Sequence, residues 1–212
     1  MLLSFSHAFI FVHVQRTGGS SVIRTLEPYG YRTPVTPMSR FLSRSGLARD
    51  PRKIVFRTHE TACRVRERLP AGMYEEFLSI AFVRNPWSWL VSLYEVFKKG
   101  PRHRHHKIVR KMKDFREYID WEAARRSRFQ YPLITDQTGE IIVDFLGRSE
   151  RLQDDHARLC QQLNIDAAPL PREKRRTFRD YREYYDDDTR EKVAEYWQRD
   201  IELLGYDFEG IK

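Results

Sequence analysis

The chain has 212 residues, of which 41% are hydrophobic and 13% are aromatic, enough to build the core of one globular domain. Lysine and arginine number 38 against 30 acidic residues, and the resulting formal net charge of +8 indicates an anionic partner without identifying it. Two distant cysteines, Cys63 and Cys160, exclude a disulfide framework, and the lack of a signal-like or bilayer-length apolar run leads us to expect a cytoplasmic protein.

The first predicted elements are a strand, a glycine loop and a helix. The apolar run His7–Val14 predicts a buried strand, and helical spacing resumes over Val22–Leu26. Between them lies Gln15-Arg16-Thr17-Gly18-Gly19-Ser20-Ser21. Glycines let the backbone approach an anion, and the N–H groups of the first helical turn point at it. The string is not a Walker A loop, so anion binding and a plain strand-to-helix turn both stay open at this point.

A second strand is predicted after an irregular segment. Residues 28–52 are rich in proline and glycine, with one short helix predicted near Met38–Ser45. Lys53–Arg57 predicts the strand, which delivers His59 and Glu60 at its carboxyl end. In parallel sheets ligands bind outside the carboxyl ends of the strands. We therefore expect both side chains near the glycine loop.

The third predicted strand, Phe77–Val83, runs into Arg84-Asn85-Pro86. The asparagine suits a helix N-cap and the proline suits a first helical turn. Apolar spacing then predicts a helix over Trp87–Lys98, with Ser92 eight residues after Arg84 and two turns into that helix. The arginine and this serine form a second candidate anion site.

The remaining chain completes an alternation of strands and helices. A strand is predicted over Ile141–Leu146, a helix over about Gln153–Leu163 and a closing helix over Asp188–Leu204. This order predicts an α/β fold with a three-layer parallel sheet and flanking helices, as a single domain over 1–212. The densely basic segment 100–116 is interpreted either as a contact for an anionic acceptor or as a solvated face. Its histidines lack carboxylates or cysteines at ligand spacing, so we expect no metal.

Together the motifs closely resemble those of the sulfotransferases that use 3′-phosphoadenosine 5′-phosphosulfate (PAPS), especially the carbohydrate branch. The loop at 15–21 stands where that family has Pro-Lys-Thr-Gly-Gly-Thr-Ser, and Val83-Arg84-Asn85-Pro86 with Ser92 stands where it has Val-Arg-Asn-Pro and a serine. Val143–Leu152 and the ending Asp200–Tyr206 also resemble family segments. The family's loop proline and lysine are Gln15 and Arg16 here.

This resemblance implies a P-loop-like sulfotransferase fold. It implies transfer of the sulfuryl group from PAPS to a hydroxyl or amine of a carbohydrate or small-molecule acceptor, with adenosine 3′,5′-bisphosphate (PAP) as product and no metal. A base must take the acceptor's proton. His59 is the first candidate, since histidine titrates near neutral pH, and Glu60 is the second. Two groups of residues are implied to hold the donor. Arg84 and Ser92 bind the 3′-phosphate, and Arg16 also stabilises the leaving group. The phosphosulfate is held by the loop residues Arg16, Thr17, Gly18, Gly19, Ser20 and Ser21.

Three other hypotheses stay open. One is a kinase-like P-loop enzyme, which the missing Walker pattern disfavours. Another is a non-catalytic basic protein that binds nucleotide or a polyanion. No helix-turn-helix or RNA-recognition signature is evident, so we expect no nucleic-acid partner. The third is a sulfotransferase-like protein without turnover, because Arg16 replaces the family lysine. The sequence identifies neither the acceptor nor the oligomeric state.

Overall fold

The computed structural model describes residues 1–31, 33, 35–44, 50–126, 128–171 and 179–212. The chain divides into two compact units, Met1–Val83 with Pro132–Glu173 and Arg84–Tyr131 with Lys174–Lys212. The prediction of a single domain stays a prediction. In chain order the strands and α-helices of the described residues are β1 (Leu2–Ser4), β2 (Phe9–Val12), α1 (Gly19–Leu26), α2 (Pro37–Arg44), α3 (Ala62–Arg68), α4 (Met73–Glu76), β3 (Leu78–Val83), α5 (Pro86–Lys99), α6 (His106–Val109), α7 (Phe115–Arg125), β4 (Phe145–Arg148), α8 (Leu152–Gln162), α9 (Asp187–Tyr196) and α10 (Gln198–Leu204).

The first unit contains a four-stranded sheet in the order β1-β2-β3-β4. Strands β2, β3 and β4 are parallel, whereas β1 runs antiparallel to β2, with Leu2 opposite Phe11 and Ser4 opposite Phe9. The α/β class with a parallel sheet is therefore confirmed for β2, β3 and β4, and β1, which the sequence did not predict, adds an antiparallel edge strand. Three residues are too short a run to show a strand period in the sequence.

Helices α1 and α8 cover one face of this sheet. Phe9 and Phe11 alternate along β2 and pack with Val22 and Leu26 of α1 and with Leu159 of α8, all buried. This packing fixes the start of α1 beyond the carboxyl end of β2, where the glycine loop lies.

The predicted strand Lys53–Arg57 is wrong. A 3₁₀ turn covers Pro51–Lys53, and the residues after it are extended but join no sheet. Their backbone groups are paired with side chains instead. The N–H of Val55 donates to Ser43 Oγ at 2.9 Å, and its carbonyl accepts from the Arg68 guanidinium at 3.3 Å. The pattern predicted an extended conformation, but these side chains replace the neighbouring strand.

The fourth strand and the closing helix are displaced from their predicted bounds. The sheet strand begins at Phe145 rather than at Ile141, because Asp144 turns its carboxylate onto the Ser79 N–H and hydroxyl at 2.8 and 2.6 Å. The closing helix is interrupted at Trp197, where ψ is 19°. The buried indole of Trp197 donates to the Arg128 carbonyl at 2.8 Å, and this contact anchors the break.

The second unit is helical. Its core joins aromatic and aliphatic residues of α5, α7, α9 and α10, among them Trp89, Tyr118 and Trp197. The prediction for α5 is confirmed, including its cap, because the Asn85 side chain accepts from the N–H groups of Trp87 and Ser88. No helix in the described ranges is long and apolar enough to span a bilayer. The cytoplasmic location stays a prediction.

The short helix predicted near Met38–Ser45 is present as α2, Pro37–Arg44. Its predicted last residue, Ser45, lies outside the described residues, as do Pro34 and Gly46 of the predicted irregular segment.

Candidate active site

The glycine loop joins β2 to α1 through a left-handed residue. Gly18 has φ +82° and is the N-cap of α1. Its carbonyl accepts from the N–H groups of Ser21 and Val22 at 2.9 and 3.4 Å. The N–H groups of Gly19 and Ser20 precede the first intrahelical bonds of the first turn and have no acceptor within the helix. This geometry offers main-chain donors at a helix start, which is the arrangement that binds anions.

The polar side chains of the loop differ in exposure. Thr17 is fully buried, and its Oγ1 donates to the Val14 carbonyl at 2.9 Å, so it closes the loop. Ser21 is also buried. Arg16 and Ser20 are exposed, and Arg16 adopts a left-handed φ of 63°. Arg16 and Ser20 are therefore the loop side chains best placed to reach a ligand.

Close packing explains why both central loop residues are glycines. A Cβ added at Gly18 would lie 2.6 Å from Leu152 Cδ2, and one added at Gly19 would lie 2.8 Å from His13 Cδ2. Both distances are below ordinary contact. An added side chain would have to displace Leu152 or His13, and at Gly18 it would also have to adopt a φ of +82°, which favours glycine. The bare backbone fits a phosphate-type group.

His59 lies beside His13, which follows β2 directly and precedes the glycine loop by two residues. Its Nδ1 is 2.8 Å from the His13 carbonyl oxygen, and the two imidazole centroids are 4.7 Å apart. A carbonyl oxygen only accepts, so Nδ1 of His59 carries the proton and donates it. The lone pair of a neutral His59 is then on Nε2. The side chain is exposed, and the expectation that it stands near the glycine loop is confirmed.

Glu60 has a different environment from its neighbour. It is 4% exposed, and its Oε2 accepts from the Arg57 N–H at 3.2 Å. Its carboxylate also forms ion pairs with Arg64 at 3.7 Å and with Arg68 at 3.6 Å. These contacts tie Glu60 to both ends of α3 and to the segment before it.

The second candidate anion site lies in the second unit. The Arg84 Nε and Nη2 donate to Ser88 Oγ at 2.9 and 2.7 Å, one helical turn along α5. Ser92, one turn further, is 1% exposed. The Asn85 Nδ2 donates to the Asp207 carbonyl at 2.7 Å, which ties the start of α5 to the chain after α10. Arg84 is thus held at a firmly capped helix start.

A buried amide network positions Arg84 and was missed by the sequence analysis. Gln130 is fully buried, its Oε1 accepts from the Arg84 N–H at 2.9 Å, and its Nε2 donates to the Arg84 carbonyl at 2.7 Å. Asp200 in turn accepts from the N–H groups of Gln130 and Tyr131, at 2.7–3.1 Å. Burial raises the pKa of Asp200 to about 7, against the lowering effect of these hydrogen bonds. No local pattern in the sequence indicates that Gln130 and Asp200 are buried, so the network could not be predicted.

The basic segment 100–116 is anchored rather than loose. His105, Val109 and Met112 are buried against the core of the second unit, while the lysines and arginines between them are exposed. The Arg104 Nε donates to His105 Nε2 at 2.8 Å. Burial and the Arg104 charge lower the pKa of His105 to about 4, so this imidazole is neutral near pH 7.

A glycine loop between a parallel strand and a helix, in an α/β sheet, is the arrangement of the P-loop-like fold. The chain matches the sulfotransferase family over residues 1–207, and it belongs to that family. It is therefore a transferase of the sulfotransferase type.

Two further proteins are similar to it. An uncharacterized protein of Archaeoglobus fulgidus is 27% identical over 105 residues, which cover 48% of this chain and 79% of that protein. The crystal structure of mouse sulfotransferase SULT7A1 complexed with PAP superposes with a TM-score of 0.52 at 12% identity, covering 94% of this chain and 86% of the mouse chain. At this identity the structural likeness concerns the fold.

Proposed function

We propose that the protein transfers the sulfuryl group of PAPS to a hydroxyl or amine of a carbohydrate or small-molecule acceptor and releases PAP. Membership of the sulfotransferase family supports the reaction class, and the PAP complex of the mouse enzyme of the same fold supports the donor. The observation that carries the proposal is the hydrogen bond from His59 Nδ1 to the His13 carbonyl, because it provides an exposed base beside an anion-binding loop.

The donor is assigned to the two candidate anion sites. The N–H groups of Gly19 and Ser20 and the side chains of Arg16 and Ser20 bind the phosphosulfate in this proposal, while Thr17 and Ser21 support the loop. Arg84 and Ser92 bind the 3′-phosphate. Bound there, PAPS supplies an activated sulfuryl group with PAP as its leaving group.

The protein's own part in the transfer is to position groups and to move one proton. The acceptor oxygen forms a bond to sulfur while the bond from sulfur to the bridging phosphate oxygen breaks. His59 Nε2 takes the hydroxyl proton, and the Nδ1 proton held on His13 fixes the required tautomer. Arg16 stabilises the charge that develops on the leaving phosphate. An arginine there keeps the charge of the family lysine but cannot donate a proton to the leaving group.

Between the two candidate bases, burial favours His59. A general base must reach the acceptor's proton within hydrogen-bond distance. His59 is exposed, whereas Glu60 is almost fully buried and engaged by Arg64 and Arg68. We therefore assign Glu60 a structural part in holding the turn that carries His59.

The test separates nucleotide binding from transfer. PAP at one hundred times its Kd should stabilise the protein by about 2.7 kcal/mol and raise its melting temperature by roughly 5–10 °C, without magnesium and more than ADP at the same concentration. Arg84→Ala should remove the preference for PAP. His59→Ala should keep the PAP shift and lose sulfate transfer from PAPS, while His7→Ala, a histidine in the β1–β2 turn, keeps both.

Two results would contradict the assignment. A preference for ADP that depends on magnesium would favour a kinase-like enzyme. Turnover that survives His59→Ala but not Glu60→Gln would transfer the role of base to the glutamate.

A further inference from the structure

A cavity of about 490 Å³ lies in the first unit beside the proposed base. Its wall includes His13, which holds His59, and Ser20 of the glycine loop, and Thr58 borders it directly before His59 in the chain. This size is in the range of small-molecule sites. The cavity is therefore the natural place for the acceptor of the proposed transfer.

The cavity runs away from the glycine loop along α1 and β1. Ser20 and Glu27, both on its wall, lie seven residues apart on and just after α1, which corresponds to about 10 Å of helix. Because β1 is antiparallel to β2, the chain from Leu2 towards Phe5 leads away from the carboxyl end of β2 and its loop. Tyr31, which bridges Leu3, lies on the same wall.

The chemistry of the wall changes along this direction. The end near the loop is lined by polar residues, among them Ser20 and Thr58. The middle is formed by the buried apolar side chains Leu3, Ile23 and Ile54. The far end adds Phe5, Tyr31 and Val35, of which Tyr31 is 38% and Val35 58% exposed.

Charge does not single out an acidic acceptor. Arg24 and Arg57 border the cavity, but Glu27 borders it too, one turn after Arg24 on the helix surface. A site for a polyanion would present cations with few acids between them.

We propose that the acceptor is an amphiphilic alcohol. Its hydroxyl reaches the polar end beside His59, and its apolar chain or ring lies along Leu3, Ile23 and Ile54 towards Tyr31. The inference rests on the proposed sulfotransferase function and narrows its acceptor class. A sugar that carries an apolar group fits it, and a purely polar polysaccharide does not.

The experiment uses alkyl β-glucosides as acceptors with PAPS, from methyl to octyl, below their critical micelle concentrations. The sugar hydroxyls are the same throughout, and only the apolar chain grows. Each buried methylene should raise kcat/KM by about two- to fourfold until the cavity is filled. Equal kcat/KM for methyl and octyl glucoside, or faster turnover of an acidic oligosaccharide, would overturn the proposal.

Substitutions at exposed positions test the cavity with little effect on the stability of the fold. Val35→Asp and Tyr31→Asp place a charge in the far end of the cavity and should flatten the dependence of kcat/KM on chain length. Met38→Asp, at a residue that is 65% exposed and does not line the cavity, is the control and should keep the full dependence of kcat/KM on chain length. The same loss in all three variants would refute the cavity as the binding place.

A binding measurement distinguishes this proposal from the one on which it rests. Protein saturated with PAP should bind octyl glucoside tighter than methyl glucoside by calorimetry, whether or not turnover is detected. No preference, with PAP bound normally, would overturn the amphiphilic acceptor alone. Failure to bind PAP at all would overturn the sulfotransferase proposal.

Discussion

The substitution Gln130→Leu tests whether the buried amide positions Arg84 for the 3′-phosphate. The amide makes two hydrogen bonds to the Arg84 main chain, at 2.9 and 2.7 Å, and is itself fully buried. Leucine has a similar volume and neither donor nor acceptor. The variant keeps Arg84, but the Arg84 main chain loses the two hydrogen bonds that fix the position from which its side chain extends.

The size of the effect follows from those two bonds. Each main-chain group left without a partner in the interior costs about 1–3 kcal/mol, so the free energy of unfolding should fall by roughly 2–6 kcal/mol. A chain of this size loses about 2–4 °C of melting temperature per kcal/mol. A charge-assisted hydrogen bond contributes about 1.5–3 kcal/mol, and losing half of it weakens PAP binding by roughly 4- to 12-fold.

The assay compares two nucleotides on the folded protein. PAP carries the 3′-phosphate and AMP does not, so displacement of Arg84 should weaken binding of PAP by roughly 4- to 12-fold and leave AMP unchanged. Binding is measured by calorimetry below the melting temperature of the variant. Gln137→Leu, the same exchange at an exposed residue that bonds Glu67 at 3.2 Å, is the matched control and should change neither affinity.

A third variant separates positioning from loss of stability. In Gln130→Glu, an ionised carboxylate faces the Arg84 carbonyl, whereas the protonated acid has an O–H donor in place of the amide. PAP affinity relative to the unsubstituted protein should therefore recover as the pH falls. Equal losses for PAP and AMP, or no recovery at low pH, would refute the positioning role and leave Gln130 a purely structural residue.

Two further predictions concern the loop and the buried acid. Gly18→Ala should lower the free energy of unfolding by more than Gly72→Ala. Both positions have φ near +80° and share a backbone cost of about 1–2 kcal/mol, but only the first substitution also brings a Cβ to 2.6 Å from Leu152. Equal losses in urea unfolding would contradict this. For Asp200, the folded pKa of about 7 lies above its ordinary 3.8, so the folded state binds more protons and stability falls as pH rises between these values. The difference in unfolding free energy between the unsubstituted protein and Asp200→Asn should change by up to about 1.4 kcal/mol per pH unit over that range, and parallel profiles would contradict it.

The sequence was sufficient for features that depend on neighbours in the chain. The glycine loop before α1, the Asn85 cap and the helix that follows it were predicted from such local patterns, and the structure contains them. The strand predicted over Lys53–Arg57 failed for a non-local reason. Ser43 and Arg68 pair with the backbone of Val55, and neither can be identified as its partner from the local pattern.

The network around Arg84 shows the same limit at the candidate site. Gln130 is 46 residues from Arg84, and Asp200 is 70 residues from Gln130. A glutamine before Tyr131-Pro132 and an acid near the start of α10 carry no periodic or motif signal. Their burial and their hydrogen bonds exist only after the second unit has folded.

The choice between the two candidate bases depends on the fold in the same way. His59 and Glu60 are adjacent, and the sequence alone ranks them only by the chemistry of their side chains. The structure gives them opposite surroundings: one side chain is exposed and held by the carbonyl of His13, and the other is buried between Arg64 and Arg68. Every residue has a carbonyl, so the sequence cannot show which one will orient an imidazole. The carbonyl of His13, just beyond β2, orients the His59 imidazole because the turn after Arg57 returns to that end of the strand. This hydrogen bond makes His59 the better candidate for the base.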